Sequence, residues 1–167
     1  ASCNGSGAPP NDKCSTPVAG ICPAGWHIPS HYERTTLEKN VGSNPGAFPY
    51  DTATVGWLGT DEGGNLKGTT VFGSLPCWNS PNTGATNFSG FTAWAAGARN
   101  TDGSFDFRGA NALFWSSLES GTFAWRRGLG STEARVYRFT SDKAYGFSVR
   151  CLKDWLSKLI LRINYGI

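Results

Sequence analysis

The hydrophobic rhythm of the chain changes three times. Residues 1–20 are rich in Gly, Pro, Ser and Asn, carry no periodic apolar pattern, and read as an arm or linker. A helix signal follows the segment Cys22-Pro23-Ala24-Gly25-Trp26-His27-Ile28-Pro29: Ser30-His31-Tyr32-Glu33 has the S-x-x-E form of a capping box. The helix is predicted to run to about Lys39, to bury Tyr32, Thr36 and Leu37, and to end near Gly42, where Asn44-Pro45-Gly46 blocks continuation. Between Pro49 and Asn87 the chain is loop-like, and its two apolar runs, 55–58 and 68–72, are too short to type. From Gly90 the pattern turns strand-like. Runs at 91–99, 104–107, 112–117, 122–127, 134–139 and 145–151 are predicted strands, with hairpin turns at Asp102-Gly103 and Ser141-Asp142. One early helix and a compact late antiparallel sheet define an α+β fold.

The tail has a third rhythm. Leu152, Trp155, Leu156, Leu159, Ile160 and Ile163 fall on one face of a helix, with Lys153, Lys158 and Arg162 off it. That face either packs on its own domain, docks on another domain or subunit, or lies on a membrane surface. The resulting organisation is an arm (1–20), a globular domain (21–153) and an amphipathic helix (154–167).

At 167 residues the chain suits a single domain with a true core, and its 22 Gly, 9 Pro and 7 Trp with no Met argue against a helical bundle. No run of about 20 apolar residues is present, as a membrane-spanning helix requires. No charged segment followed by an apolar one opens the chain, so any export signal is expected to be removed or to lie upstream. Charge is uneven: from Ala124 onward nine Lys/Arg face three acids, so the net charge of +3 leaves the preceding part acidic. Solvated strand charge accounts for this better than nucleic acid, for which no binding module is visible.

The five cysteines, at 3, 14, 22, 77 and 151, fit no zinc spacing. In a turn-rich domain disulfides are the better account, which implies an oxidising compartment and an extracellular or cell-surface location. Cys22 with Cys151 would tie the first strand to the last, and Cys3 with Cys14 would pin the arm. Cys77 is then free or differently paired.

Five ordered motifs carry a family resemblance. They are Cys22-Pro23-Ala24-Gly25-Trp26-His27-Ile28-Pro29-Ser30; Gly90-Phe91-Thr92-Ala93; Arg99-Asn100-Thr101-Asp102-Gly103-Ser104-Phe105; Phe114-Trp115-Ser116-Ser117; and Tyr145-Gly146-Phe147-Ser148-Val149-Arg150-Cys151. In this order the chain, over about residues 20–153, resembles the Fibrobacter succinogenes major paralogous domain. The resemblance implies a C-type-lectin-like fold related to formylglycine-generating enzymes, and a bacterial surface or secreted module. It casts Trp26 and Trp115 as core aromatics and Gly25 and Gly146 as points of close backbone approach, and it places Cys22 and Cys151 where such folds join their ends.

Departures from the family pattern single out a candidate ligand-binding set. Arg126 and Gly128 stand where tyrosine is usual. Gly130, Ser131, Thr132 and Glu133 replace an Asn/Tyr-rich run, and Phe139, Thr140 and Ser141 replace another. Trp94 and Ala98 stand where Leu and Tyr are usual, and Asp106, Phe107, Asn111, Leu113 and Phe123 are also idiosyncratic. Between them the frame residues Trp125, Arg127, Leu129, Val136, Tyr137 and Arg138 hold. This pattern resembles the target proteins of diversity-generating retroelements, which vary Asn-type (AAY) codons near the C-terminus. Most of the residues found are reachable from such codons. Glu133 and Trp94 are not, and ordinary paralogue drift on an exposed sheet is the competing account.

Binding without catalysis is the expected function, directed at a protein or glycan ligand on another surface. A structural or pilin-associated assembly module, docked through the C-terminal helix, is the alternative. A formylglycine-generating type of enzyme would need a reactive cysteine pair, and only Cys77 lacks a structural assignment. His27 and His31 suggest no triad. No metal site is expected. Calcium is the one cofactor to weigh, because residues 100–106 place oxygen side chains at alternate positions; a Gly-containing hairpin turn explains the same residues.

Overall fold

The computed structural model describes residues 3–72 and 75–154. The predicted tail helix beyond Asp154 lies outside the described residues. The chain order is β1 (Trp26–His27), α1 (His31–Val41), a 3-10 turn (Pro45–Ala47), β2 (Gly56–Leu58), α2 (Glu62–Leu66), β3 (Val71–Phe72), β4 (Leu75–Pro76), β5 (Ala98–Arg99), β6 (Phe105–Asp106), β7 (Asn111–Ser120), β8 (Phe123–Gly130), β9 (Val136–Asp142) and β10 (Leu152–Lys153). The fold is α+β, as expected. Its centre is a four-stranded antiparallel sheet in the order β2-β9-β8-β7.

The ends of the domain meet. β1 pairs antiparallel with β10, and the Cys22–Cys151 disulfide closes the same junction. A second disulfide joins Cys3 to Cys14. Residues 3–20 have no regular secondary structure but lie against the domain: Ser117 Oγ donates to the Cys3 carbonyl at 2.9 Å, and Ser30 Oγ donates to the carbonyl of buried Asp12 at 2.8 Å. Leu152, assigned to the tail helix by its spacing, belongs instead to β10.

The capping box forms as predicted, with Ser30 and Glu33 each accepting the other's backbone N–H. The buried side of α1 differs from expectation. Tyr32, Thr36 and Leu37 are only half-buried, while His31, Glu33, Arg34, Thr35 and Glu38 are buried. The cause is the inner face of the sheet, which presents two arginines. Arg127 pairs with Glu38 and donates to His31 Nδ1 and to the His31 carbonyl. Arg138, fully buried, donates to Pro49 and Asp51 and stacks over Trp125. A polar helix face is the partner such charges need, because a buried charge left unpaired is costly. The apolar core sits beside this layer, around Phe48, Leu66, Trp78, Phe114, Leu129 and Val136.

Three strand predictions need correction. Residues 91–97 form loop rather than strand. Ser141-Asp142 ends β9, and the turn falls just after it. Residues 145–151 form no continuous strand: Gly146 exchanges hydrogen bonds with Arg99, and two residues later Ser148 bonds to Leu113 and Trp115. Switching partners within two residues leaves no room for a ladder. Nor are Trp26 and Trp115 core aromatics, since Trp26 is exposed on β1 and Trp115 is half-buried on the outer sheet face. Gly146 does make a close approach, with Arg99 Cβ 3.0 Å from where its own Cβ would lie. Gly25 has open space and is glycine because its φ is +78°.

Candidate ligand-binding face

Alternation along the central strands separates frame from face. Directly opposed residues of an antiparallel pair share one side of the sheet. Trp125, Arg127 and Leu129 on β8 and Val136 and Arg138 on β9 are all buried, on the side facing α1. The intervening residues form the other side. Trp115 opposes Arg126, Arg126 opposes Phe139, Gly128 opposes Leu113 and Tyr137, and Tyr137 opposes Trp57.

This outer side holds a shallow concavity of about 300 Å³. Phe107, Asn111, Leu113, Arg126 and Gly128 line it, completed by Trp57 and Tyr137. Gly128 opens its floor: a Cβ there would lie 3.1 Å from Arg126 Nη1 and 3.2 Å from Leu113 Cδ2. Arg126 is held from both sides, with its guanidinium carbon 5.3 Å from the Tyr137 ring centroid and 5.6 Å from that of Phe147. Its Nε donates to Ser141 Oγ at 2.7 Å. Burial lowers its pKa from the usual arginine value, yet the group stays cationic at any ordinary pH. Phe139 extends the aromatic surface by stacking on Tyr137 at 5.6 Å. At the other end Gly130 backs onto Trp57, and Glu133 pairs with Arg135, whose guanidinium lies 5.9 Å from the Trp57 ring.

Phe107 is unusual in its backbone. Its φ of +60° is left-handed, a region that glycine and asparagine enter far more readily than a bulky residue. Asp106 Oδ1 accepts the Phe107 N–H at 2.8 Å, and the Phe107 carbonyl accepts from Ala110 and Asn111. The ring is half-exposed at the rim of the concavity. A non-glycine residue held in this conformation at a rim costs stability and marks a place worth functional attention.

The rest of the candidate set is scattered. Ala98 is buried where β5 meets β6, and Ser131 is buried in the β8–β9 turn, its N–H donating to the Ala110 carbonyl. Thr140 opposes Trp125 and so belongs to the inner side. Trp94 and Thr132 are exposed, on the 91–97 loop and the β8–β9 turn, and neither lines the concavity. Phe123 is exposed at the β7–β8 hairpin tip, paired with Ser120 and Asp142.

Sequence reasoning did not find Trp57, Tyr137, Phe147 or Lys67. Trp57 lay in a run too short to type, and Tyr137 was read as frame. Lys67 is fully buried and donates to the carbonyls of Thr83, Gly130 and Glu133 at 2.7, 3.0 and 2.8 Å, which fixes the β8–β9 turn from below. Its only sequence signal is that it is the one charged residue between Glu62 and Arg99.

Among the described residues no group of three or more His, Cys, Asp or Glu is arranged to hold a metal. Residues 100–104 join β5 to β6, and Asp102 accepts from the N–H and hydroxyl of Ser104. The free Cys77 is buried in the apolar core. No helix among the described residues is long and apolar enough to cross a membrane.

The class defined so far is an α+β domain whose termini are clasped by a disulfide and whose central sheet turns one side to solvent. The chain belongs to the Fibrobacter succinogenes major domain family, whose model matches residues 12–153. No curated protein and no solved structure matches it.

Proposed function

We propose that this is a bacterial surface or secreted binding module of C-type-lectin-like architecture, which grips a protein or glycan ligand with the outer side of its central sheet. The observation that carries this reading is the alternation on β8 and β9. The frame residues Trp125, Arg127, Leu129, Val136 and Arg138 point to the side under α1, with Tyr137 the exception, and the departing residues Arg126, Gly128, Gly130, Phe139 and Ser141 point outward, with Thr140 the exception. A rigid frame beneath a chemically free face suits recognition. A caged arginine among exposed aromatic rings has the composition of a binding hot spot.

The same alternation supports programmed variation of the outward positions. The left-handed backbone at Phe107 agrees with it, since asparagine, the residue of an AAY codon, enters that conformation more readily than phenylalanine. Reads across residues 90–151 in sister cells test this, and substitutions spread evenly over inward and outward codons would overturn it.

The binding reading is tested with the purified chain on arrays of surface glycans and displayed surface proteins. Arg126→Ala/Phe139→Ala is expected to abolish the signals found for the wild type while the domain stays folded. Unchanged signals would refute it. An assembly module docked through residues after Asp154 would instead keep its assembly in that double variant.

A further inference from the structure

A second cavity lies on the helix side of the sheet, distinct from the outer concavity. It measures about 280 Å³, at the small end of the ~300–1,000 Å³ typical of small-molecule sites. Pro29, Leu37, Phe91 and Leu152 give it apolar walls, Arg34 and Arg150 give it two cations, and Glu33 gives it one acid.

Arg34 is the informative member. It is only 4% exposed, yet its Nε and Nη2 have no hydrogen-bond partner among the described residues. The rings of Phe91 and Phe114 lie 5.9 and 5.4 Å from its guanidinium carbon and ease the burial of its charge, but they leave those two N–H groups unbonded. The neighbouring acids do not bond to those two groups, although the second oxygen of Glu38, one turn along α1, is itself buried without a partner. Glu33 accepts from the Ser30 N–H and lies 3.2 Å from His27 Nε2, and Glu38 pairs with Arg127. Buried donors are almost always satisfied, and a buried guanidinium is ordinarily matched by an acceptor. Nε and Nη2 form the side edge of the guanidinium, with two parallel N–H groups spaced for the two oxygens of one carboxylate. Arg150, at the exposed side, lies 4.5 Å from the Phe91 ring centroid, so two cations bracket a single aromatic wall.

We propose that this cavity binds a small organic carboxylate with an apolar or aromatic tail, its oxygens on the Nε/Nη2 edge of Arg34 and its tail against Leu37, Phe91 and Leu152. Burial and the nearby Arg127 depress the Arg34 pKa to about 10, and the charge of a bound carboxylate offsets both effects.

The test titrates the full chain with 3-phenylpropanoate and with its neutral analogue 3-phenylpropanamide, by calorimetry. Saturable binding of the carboxylate is expected, with the amide weaker by about tenfold or more. Arg34→Met is expected to weaken carboxylate binding by about tenfold or more and to keep the fold, because it removes two buried donors that have no partner. Leu37→Trp fills the cavity with Arg34 intact and is also expected to remove binding, which decides the matter if the Arg34 variant fails to fold. Absence of saturable binding at millimolar carboxylate, equal affinity for the amide, or undiminished binding in a folded Arg34→Met or Leu37→Trp variant would each overturn the proposal.

Discussion

Mild acid should weaken this fold through one histidine. His31 is fully buried between α1 and the sheet, with its ring centroid 4.5 Å from that of Trp125. Its Nε2 donates to the Asp51 carbonyl at 2.8 Å, and its Nδ1 accepts from Arg127 Nη1 at 3.3 Å. The second contact requires the neutral ring, because a protonated Nδ1 cannot accept, whereas the first is open to either form. Burial, with Arg127 and Arg138 beside it, holds its pKa down to about 2, against 6.5 for a free histidine. Above pH 6.5 the ring is neutral whether folded or unfolded, and the native contacts contribute in full. Below 6.5 the unfolded chain takes up a proton that the folded one refuses, so stability falls steadily until the folded value is reached. The slope is about 1.4 kcal/mol per pH unit, which amounts to about 2 kcal/mol between pH 7 and pH 5. Urea titrations at those two pH values should therefore show that loss in the wild type. His31→Gln, which does not titrate, should show a dependence smaller by about 2 kcal/mol, with the contributions of other groups cancelling in the comparison. An equal pH dependence in the two proteins would refute the neutral-histidine packing.

Replacing Cys22 and Cys151 together by serine opens a sequence separation of 129 residues and should cost about 5 kcal/mol in urea unfolding; a loss below about 1 kcal/mol would contradict the clasp. Lys67→Met removes the donor to three carbonyls and should cost about 3–5 kcal/mol, with faster amide exchange confined first to residues 131–133. Phe107→Asn relieves about 1 kcal/mol of left-handed strain while losing a half-exposed ring, so its melting temperature should stay within a few degrees of wild type. A fall of 10 °C or more would make Phe107 a packing residue rather than a rim residue.

The elements legible in the sequence were those with a local cause. The capping box at Ser30 and Glu33, the strand runs that became β7, β8 and β9, and the hairpin around Asp102-Gly103 each rest on neighbouring residues, and each is present. What escaped depends on partners distant in sequence. Apolar spacing favours Leu37 and Tyr32 for the buried face of α1, whereas the partner that selects Glu38, His31 and Thr35 is Arg127, about ninety residues away. Residues 145–151 have the composition of a strand, but they bond to β5 on one side and β7 on the other. For the outer face, departure from the family pattern picks out Arg126, Gly128 and Phe139, which do share a side, while Trp57 arrives from a three-residue strand too short to announce itself. Ala98, Ser131 and Thr140 departed from the family pattern and still fall elsewhere, because departure carries no information about which side a residue faces.

The central claim, that the outer sheet side is the gripping surface, is tested most directly by closing its concavity. Gly128→Leu adds a side chain to the floor, against Leu113 and Arg126, and removes no contact residue. On the same arrays of surface glycans and proteins, the signals given by the wild-type chain should disappear in this variant, with its disulfides and near-ultraviolet circular dichroism unchanged. Wild-type signals persisting at full strength in a folded Gly128→Leu protein would contradict the account.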